Sequence, residues 1–168
     1  MEKGLQADMF LLSGGVSAGK LDLVPGVLQD LGVQAHFHKV ELKPGKPVLF
    51  GTKEKTLVFG LPGNPVSALV CFELFVRPAV RRLAGHPKVE PSLVEAALME
   101  DFVYSTDRPT YYPAALNWEG KGYRVRPVPW FGSPDLRALT RANAFIVIAA
   151  GQHQLPAGRI VSVMKTED

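Results

Sequence analysis

Residues 56–68 read Thr56-Leu57-Val58-Phe59-Gly60-Leu61-Pro62-Gly63-Asn64-Pro65-Val66-Ser67-Ala68. The apolar run from Thr56 to Phe59 predicts a strand, Gly60 to Gly63 a turn, and Asn64-Pro65 the N-cap and first position of a helix. A strand passing through a short loop into a helix is the repeating unit of an α/β sheet. The predicted helix carries Leu69, Phe72, Val76 and Leu83 on one face, is kinked or broken near Pro78, and ends at Gly85.

On the N-terminal side, Val48-Leu49-Phe50 forms a hairpin with Thr56-Leu57-Val58-Phe59 across a charged turn. Met9-Phe10-Leu11-Leu12 is a short apolar strand stopped by Ser13-Gly14-Gly15. A helix follows, with Asp22 as N-cap, Pro25 in the first turn, Leu23, Val24, Val27, Leu28 and Leu31 at helical spacing, and Gly32 as the stop. From Val33 the period becomes two through Ala35 and Phe37, so residues 9–40 read as a right-handed βαβ unit with two parallel strands. On the C-terminal side, Gly85 to Pro91 is a linker. Beyond it, β-like runs at 93–99, 110–118, 123–128, 144–149 and 159–164 between Gly, Pro and Asn turns predict a small antiparallel barrel or sandwich. One short helix is expected at Asp135 to Leu139, with Ser133 as its N-cap and Pro134 after it. The fold class is therefore α/β, a parallel-sheet domain over 1–91 followed by a small antiparallel β-barrel domain over 92–168.

Composition agrees. Gly 16 and Pro 14 make 30 of the 168 residues backbone punctuators, which excludes a long helical bundle, a coiled coil and a disordered chain. The single Cys71 leaves no internal disulfide and no multi-cysteine metal site. No apolar run approaches a membrane span and the first residues lack the apolar core of a signal peptide, so a soluble, cytoplasmic protein is expected. The net charge of 19 − 16 = +3 is too mild to argue for nucleic acid. The excess lies before Pro91, where Lys39, Lys43, Lys46, Lys53 and Lys55 crowd one stretch, pointing to a small anionic ligand.

Three loops carry the candidate chemistry. Ser13-Gly14-Gly15-Val16-Ser17-Ala18-Gly19 joins a strand to a helix and is either a plain tight turn or a place where backbone N–H groups meet a phosphate. Asp22 beside it serves as an N-cap or as a carboxylate for Mg²⁺. Lys43-Pro44-Gly45-Lys46-Pro47 is a stiffened loop in which two ammonium groups can face one oxyanion, or a solvated run of charge. Ser67 lies in the first turn of its helix, where a hydroxyl and N–H groups suit an oxyanion or simply a helix start. Each loop follows a strand, and ligands of open α/β sheets bind at that edge. His36 and His38, two apart on a strand, are read as surface or packing residues, Arg77, Arg81 and Arg82 as a solvated helix face, and Cys71 as buried.

At these residues the chain resembles the molybdopterin molybdenumtransferases, the family of bacterial MoeA and the gephyrin E-domain. Ser13-Gly14-Gly15-Val16-Ser17 with Asp22, the Lys43-Pro44-Gly45-Lys46-Pro47 loop and Leu61-Pro62-Gly63-Asn64-Pro65-Val66-Ser67-Ala68 match in order and spacing, and Arg108-Pro109, Gly132-Ser133 and Ala142-Asn143 extend the likeness. The resemblance implies a molybdopterin-binding, MogA-like α/β domain, present in its later portion only, and the family's C-terminal β-barrel. It implies a reaction in which adenylylated molybdopterin and molybdate, the substrates, give molybdenum cofactor with release of AMP, aided by Mg²⁺ as cofactor. Lys43, Lys46, Ser67, Arg108 and Ser133 match positions that meet molybdate, Gly14, Gly15, Ser17, Pro47 and Asn64 match other substrate-binding positions, and Asp22 matches a functional acidic position that would hold the metal. Lys20 stands where many members carry an acid, and Pro113 where an arginine is common, so neither neighbouring role carries over. Members are much longer on the N-terminal side, so the resemblance further implies a homodimer or a missing N-terminal half that completes the nucleotide side, with no nucleic-acid or membrane partner. The alternative is a non-catalytic molybdopterin- or anion-binding scaffold of the same fold; a molybdopterin adenylyltransferase fits less well, because that enzyme lacks the barrel and the Lys-Pro-Gly-Lys-Pro loop.

Overall fold

The computed structural model describes residues 1–17 and 22–166. Its first half is built on a four-stranded sheet in the order β1-β4-β3-β2. The strands are β1 (Met9–Ser13), β2 (Gln34–His38), β3 (Leu49–Lys53) and β4 (Thr56–Leu61), with α1 (Val24–Asp30) between β1 and β2. β1 pairs parallel to β4 with Ser13 opposite Leu61, whereas β3 runs antiparallel to both β4 and β2. The sheet is therefore mixed, not parallel. β1 and β2 point the same way across the α1 crossover, as a βαβ unit requires, but the β3–β4 hairpin is inserted between them, because a two-residue turn at Glu54-Lys55 pairs adjacent strands antiparallel.

Helix starts shift by a residue or two. α1 has Leu23, not Asp22, at its N-cap, with Pro25 in the first turn. Pro65 opens α2 (Pro65–Cys71) behind Asn64 as expected. The helix then passes through a π-helical stretch, Phe72–Val76, before α3 (Arg77–Leu83). Pro78 explains the break: it has no N–H for the carbonyl of Leu74 and its ring crowds that turn, so the preceding residues widen to a π-type register. The buried face of this helix is Val66, Val70, Cys71 and Val76; Leu69 and Phe72 are half-buried and Leu83 is exposed.

In the second half, β5 (Leu93–Leu98), β7 (Thr110–Glu119), β8 (Gly122–Pro127), β9 (Ala144–Ile148) and β11 (Ile160–Lys165) close a barrel in the order β11-β5-β8-β7-β9. Four of its pairings are antiparallel and one, β5 with β8, is parallel. A separate antiparallel ribbon pairs β6 (Phe102–Thr106) with β10 (Gly151–Leu155), strands that the sequence pattern did not predict. The short helix is α4 (Leu136–Leu139), and Asp135 rather than Ser133 holds its N-cap. Among the described residues no helix is long and apolar enough to cross a membrane.

Among the described residues three cores fill the molecule, the smallest packing Leu28 of α1 and Val33 against Leu49 and Val58 of the sheet. The barrel encloses Ala96, Leu98, Leu116, Val125, Ile146 and Val163. The larger core joins the halves: Val48, Phe59, Leu61, Val66, Val70 and Val76 pack with Phe145 and Met164 of the barrel. Burying each of those last two side chains stabilises the joint by roughly 1.5–3 kcal/mol. Arg77 adds a polar tie: it forms a two-pronged ion pair with the buried Glu73 at 2.5 and 2.7 Å and donates to the carbonyl of Thr166 at 3.3 Å. Its side chain stays about a third exposed, at 35%, so it is an ion-paired tie at the edge of the solvated helix face.

Candidate functional site

A cleft of about 330 Å³ opens between the two halves. Its wall is made by the 42–47 loop, by Pro62, Asn64 and Ser67 around the start of α2, by Asp107 and Arg108 in the β6–β7 turn, and by Trp130, Gly132 and Ser133. Sequence-predicted residues Lys43, Lys46, Pro47, Asn64, Ser67, Arg108 and Ser133 all meet here. They come from both sides of the chain, so the convergence depends on the packed joint.

The 43–47 loop is held at both ends. Lys43 forms an isolated parallel bridge with Thr110, its N–H donating to Pro109 at 2.9 Å and its carbonyl accepting from Tyr111 at 2.8 Å. The Lys43–Pro44 bond is cis. Gly45 is buried at φ +120°, with the Cys71 thiol directed at its carbonyl at 3.4 Å. A Cβ at Gly45 would lie 2.6 Å from Cys71 Sγ, so only glycine fits without displacement. Burial pushes the Cys71 thiol up to about 12, and it acts as a packed apolar group.

The opposite wall is fixed just as locally. The hydroxyls of Thr106 and Thr110 lie 2.8 Å apart, and 3.0 and 3.1 Å from the Arg108 carbonyl, which sets the turn that presents Arg108. Asn64 does not cap α2 with its side chain. Its Nδ2 donates instead to Ser133 Oγ at 2.8 Å, while the Val66 N–H donates to the Ser133 carbonyl at 3.2 Å. Ser133 is thereby drawn off the N-cap of α4 and onto the cleft.

Three cations face this space. Lys46 Nζ lies 3.6 Å from Glu41, and Arg108 forks onto Asp107 at 2.5 and 3.1 Å. Lys43 Nζ rests 5.4 Å from the centroid of the Tyr104 ring. The Arg108 guanidinium holds the Asp107 carboxyl below the usual carboxylate range, and the Lys43 charge adds to the effect. Three positive and two negative groups leave 3 − 2 = +1 at the cleft, with both carboxylates on the exposed rim. Such a set suits a compact polyanion that displaces the rim carboxylates. Glu41, Asp107, Tyr104 and Trp130 were not singled out in the sequence, where only the adjacency of Asp107 to Arg108 carries a signal.

The 13–17 loop sits beside the cleft without lining it. The Gly14 N–H donates to the Leu61 carbonyl at 2.9 Å, and a Cβ on Gly63 would come 3.4 Å from Gly14 Cα, so two glycines let these loops touch. Gly15, Ser17 and Asp22 are not on the cleft wall. The remainder of that loop, Ala18 and Gly19, and the departure at Lys20 lie outside the described residues. Among the described residues no group of three or more His, Cys, Asp or Glu side chains could hold a metal ion. A Mg²⁺ ion at Asp22 would need its other ligands from water and substrate phosphates, a coordination that magnesium commonly adopts. His36 bonds to the Thr52 hydroxyl at 2.8 Å and His38 to the Val16 carbonyl at 2.6 Å, so both histidines have structural partners, as expected.

Comparison with known proteins follows the same two-part layout. A family described as "Probable molybdopterin binding domain" matches residues 1–82, and "MoeA C-terminal region (domain IV)" matches residues 95–166. The chain belongs to the MoeA family. A MoeA-family relative from Staphylococcus aureus, named molybdopterin molybdenumtransferase, is 31% identical over 160 residues, covering 95% of this chain and 38% of the relative. A Staphylococcus epidermidis protein of the same name is 34% identical over the same lengths. Among solved MoeA structures, a Pyrococcus horikoshii molybdopterin biosynthesis protein superposes with a TM-score of 0.80 at 29% identity, over 99% of this chain and 39% of that one. A molybdenum cofactor biosynthesis protein from Pyrococcus furiosus gives 0.67 at 26% identity, over 98% of this chain and 51% of that one. The chain thus spans about two fifths of the length of the curated MoeA relatives it matches.

Proposed function

We propose that this chain carries the molybdate side of a molybdopterin molybdenumtransferase site, acting in cytoplasmic molybdenum cofactor biosynthesis, where molybdate enters adenylylated molybdopterin and AMP leaves. The observation that supports it is the cleft in which Lys43, Lys46, Arg108, Ser67 and Ser133 converge from both halves. A tetrahedral dianion entering there exchanges the rim carboxylates of Glu41 and Asp107 for its own oxygens. The ammonium and guanidinium groups then neutralise it and the two serine hydroxyls donate to it. Gly14, Gly15, Ser17, Pro47 and Asn64 are proposed as substrate contacts or as the frame that shapes them, with residues 1–91 and 92–168 as the two units flanking the site. Asp22 is proposed as a protein carboxylate for a Mg²⁺ ion carried on substrate phosphates, where the metal would offset pyrophosphate charge.

The nucleotide side is then completed from outside this cleft, by a second copy of the chain or by the further length that the relatives possess; sedimentation at rising concentration separates the two. The decisive assay is molybdate-dependent release of AMP from adenylylated molybdopterin, with saturable molybdate binding measured beside it. AMP release should be lost, and molybdate binding weakened about tenfold or more but still measurable, in Lys43→Ala and Arg108→Ala, and absence of saturable binding by the unmodified chain sinks the proposal. A second reading, a non-catalytic anion-binding module, is favoured by the placement of Ser17 and Asp22 off the cleft wall. It gives binding without AMP release.

A further inference from the structure

Lysine is a flexible choice for a fixed anion site. Its ammonium ends a stem of four methylenes, and pinning the backbone, as the bridge to Thr110 does for Lys43, leaves that end free to swing. Lys46 and Arg108 are restrained by carboxylates that an incoming anion must displace. Lys43 is restrained differently, by the ring of Tyr104 on β6. That ring is itself immobilised: it stacks on Phe102 at 5.8 Å and 9°, and meets Tyr112 edge-on at 5.1 Å and 75°. The aromatic run continues. Tyr112 meets Trp130 at 5.4 Å and 88°, and the Trp130 indole N–H donates to the Gly132 carbonyl, one residue from Ser133.

We propose that Tyr104 is a positioning residue for Lys43, its ring holding the ammonium at the cleft so that an oxyanion meets a pre-placed charge, while the same aromatic layer, through Tyr112 and Trp130, fixes the Ser133 wall. This rests on the anion-binding reading of the cleft. The physical basis is the negative face of the ring, which attracts an ammonium without neutralising it. A carboxylate in the same place would hold Lys43 equally well but would compete with the anion, as Glu41 and Asp107 do. Tyr104 therefore restrains the lysine without adding negative charge for the ligand to displace. The ribbon β6/β10 acquires a role from this arrangement: it stands outside the closed barrel and carries the ring to the site.

Two measurements on the 168-residue chain test the proposal. The first reads Lys43 directly, by NMR of reductively ¹³C-methylated lysines, with the Lys43 signal assigned by its loss in Lys43→Arg. An ammonium over a ring is shielded, so the Lys43 methyl signal should lie upfield, remain there in Tyr104→Phe, and move to the position of exposed lysines in Tyr104→Leu. A wild-type Lys43 signal at the exposed-lysine position overturns the proposal whether or not molybdate binds. The second is calorimetric titration with molybdate. Tyr104→Leu should weaken binding about three- to tenfold and Tyr104→Phe by less than about twofold. In a Lys43→Met background Tyr104→Leu should then weaken binding by less than about twofold, the share that runs through Tyr112 and Trp130. Equal weakening with and without Lys43 would show that the ring acts elsewhere, and would also overturn the proposal. If the wild type binds no molybdate while the upfield signal is present, the anion reading fails and the seat on Tyr104 stands.

Discussion

Gly45→Ala probes the joint between fold and site more sharply than removal of any charge. Gly45 has φ +120°, where an alanine is strained by about 1–3 kcal/mol. The new Cβ would stand 2.6 Å from Cys71 Sγ, 3.3 Å from Leu42 Cδ2 and 3.7 Å from the Ser67 carbonyl. Cys71 and Leu42 are buried in the core that joins the halves, so neither has room to retreat, and overpacking adds about 1–3 kcal/mol. The sum is a loss of about 2–6 kcal/mol, a large part of the ~5–15 kcal/mol typical of a folded domain. With a urea m-value of about 2 kcal/mol/M, the unfolding midpoint should fall by about 1–3 M, followed by the fluorescence of Trp118 and Trp130. Molybdate affinity should fall with it, because Lys43 and Lys46 flank the displaced residue. Adding Cys71→Ala removes the close contact but not the backbone strain, so a double-mutant cycle should return a favourable coupling of about 1–3 kcal/mol. A Gly45→Ala protein within about 0.5 kcal/mol of wild type, with unchanged molybdate binding, would refute the claim that the loop is braced against α2.

Other perturbations test separate parts of the account. Asp107→Asn removes a rim carboxylate that competes for Arg108 and should tighten molybdate binding several-fold at low salt, an effect that shrinks as ionic strength rises; weaker binding would contradict the displacement step. Arg77→Met strands the buried Glu73 carboxylate and should cost about 2–4 kcal/mol in urea unfolding, whereas Glu73→Leu with Arg77→Met should recover most of it. Cys71 should resist iodoacetamide at pH 8 in the folded chain. Because its folded value of about 12 lies above the 9.0 of an exposed thiol, its contribution to stability is complete below pH 9 and is lost as pH rises toward 12. The slope in that window should approach about 1.4 kcal/mol per pH unit, and a flat profile would contradict the burial argument.

Much of this was legible because local chemistry decides local structure. All five barrel strands appear in the sequence as β-like runs bounded by Gly, Pro or Asn, and Asn64-Pro65 marks the start of α2. What escaped the sequence depends on partners far along the chain. β10 is a largely exposed, mostly polar strand with little signal apart from its partner, whereas β6 buries Phe102 and Thr106 and half-buries Tyr104 between exposed residues, a short period-two pattern that the five longer runs overshadow. The order β1-β4-β3-β2 follows from a hairpin inserted into a crossover, which periodicity along one strand cannot show. The site divides the same way. Lys43 and Lys46 stand in a loop that follows a strand, and Ser67 in the first turn of the helix after one, places that local pattern marks, whereas Tyr104 beneath Lys43 and Asn64 bonded to Ser133 arise only when the barrel docks on α2. The spacing of Asp22 suits a helix cap, but the helix begins one residue too late for that, with Leu23 at its N-cap.

The central claim is that an oxyanion binds between the halves of this chain. Anomalous diffraction at the molybdenum edge, from crystals soaked in molybdate, tests it most directly. One strong peak is expected within bonding distance of Lys43, Lys46, Ser67, Arg108 and Ser133, and a much weaker one in crystals of Lys43→Ala soaked alike. An empty cleft in the wild-type crystal, or a peak held by residues outside it, would contradict the account.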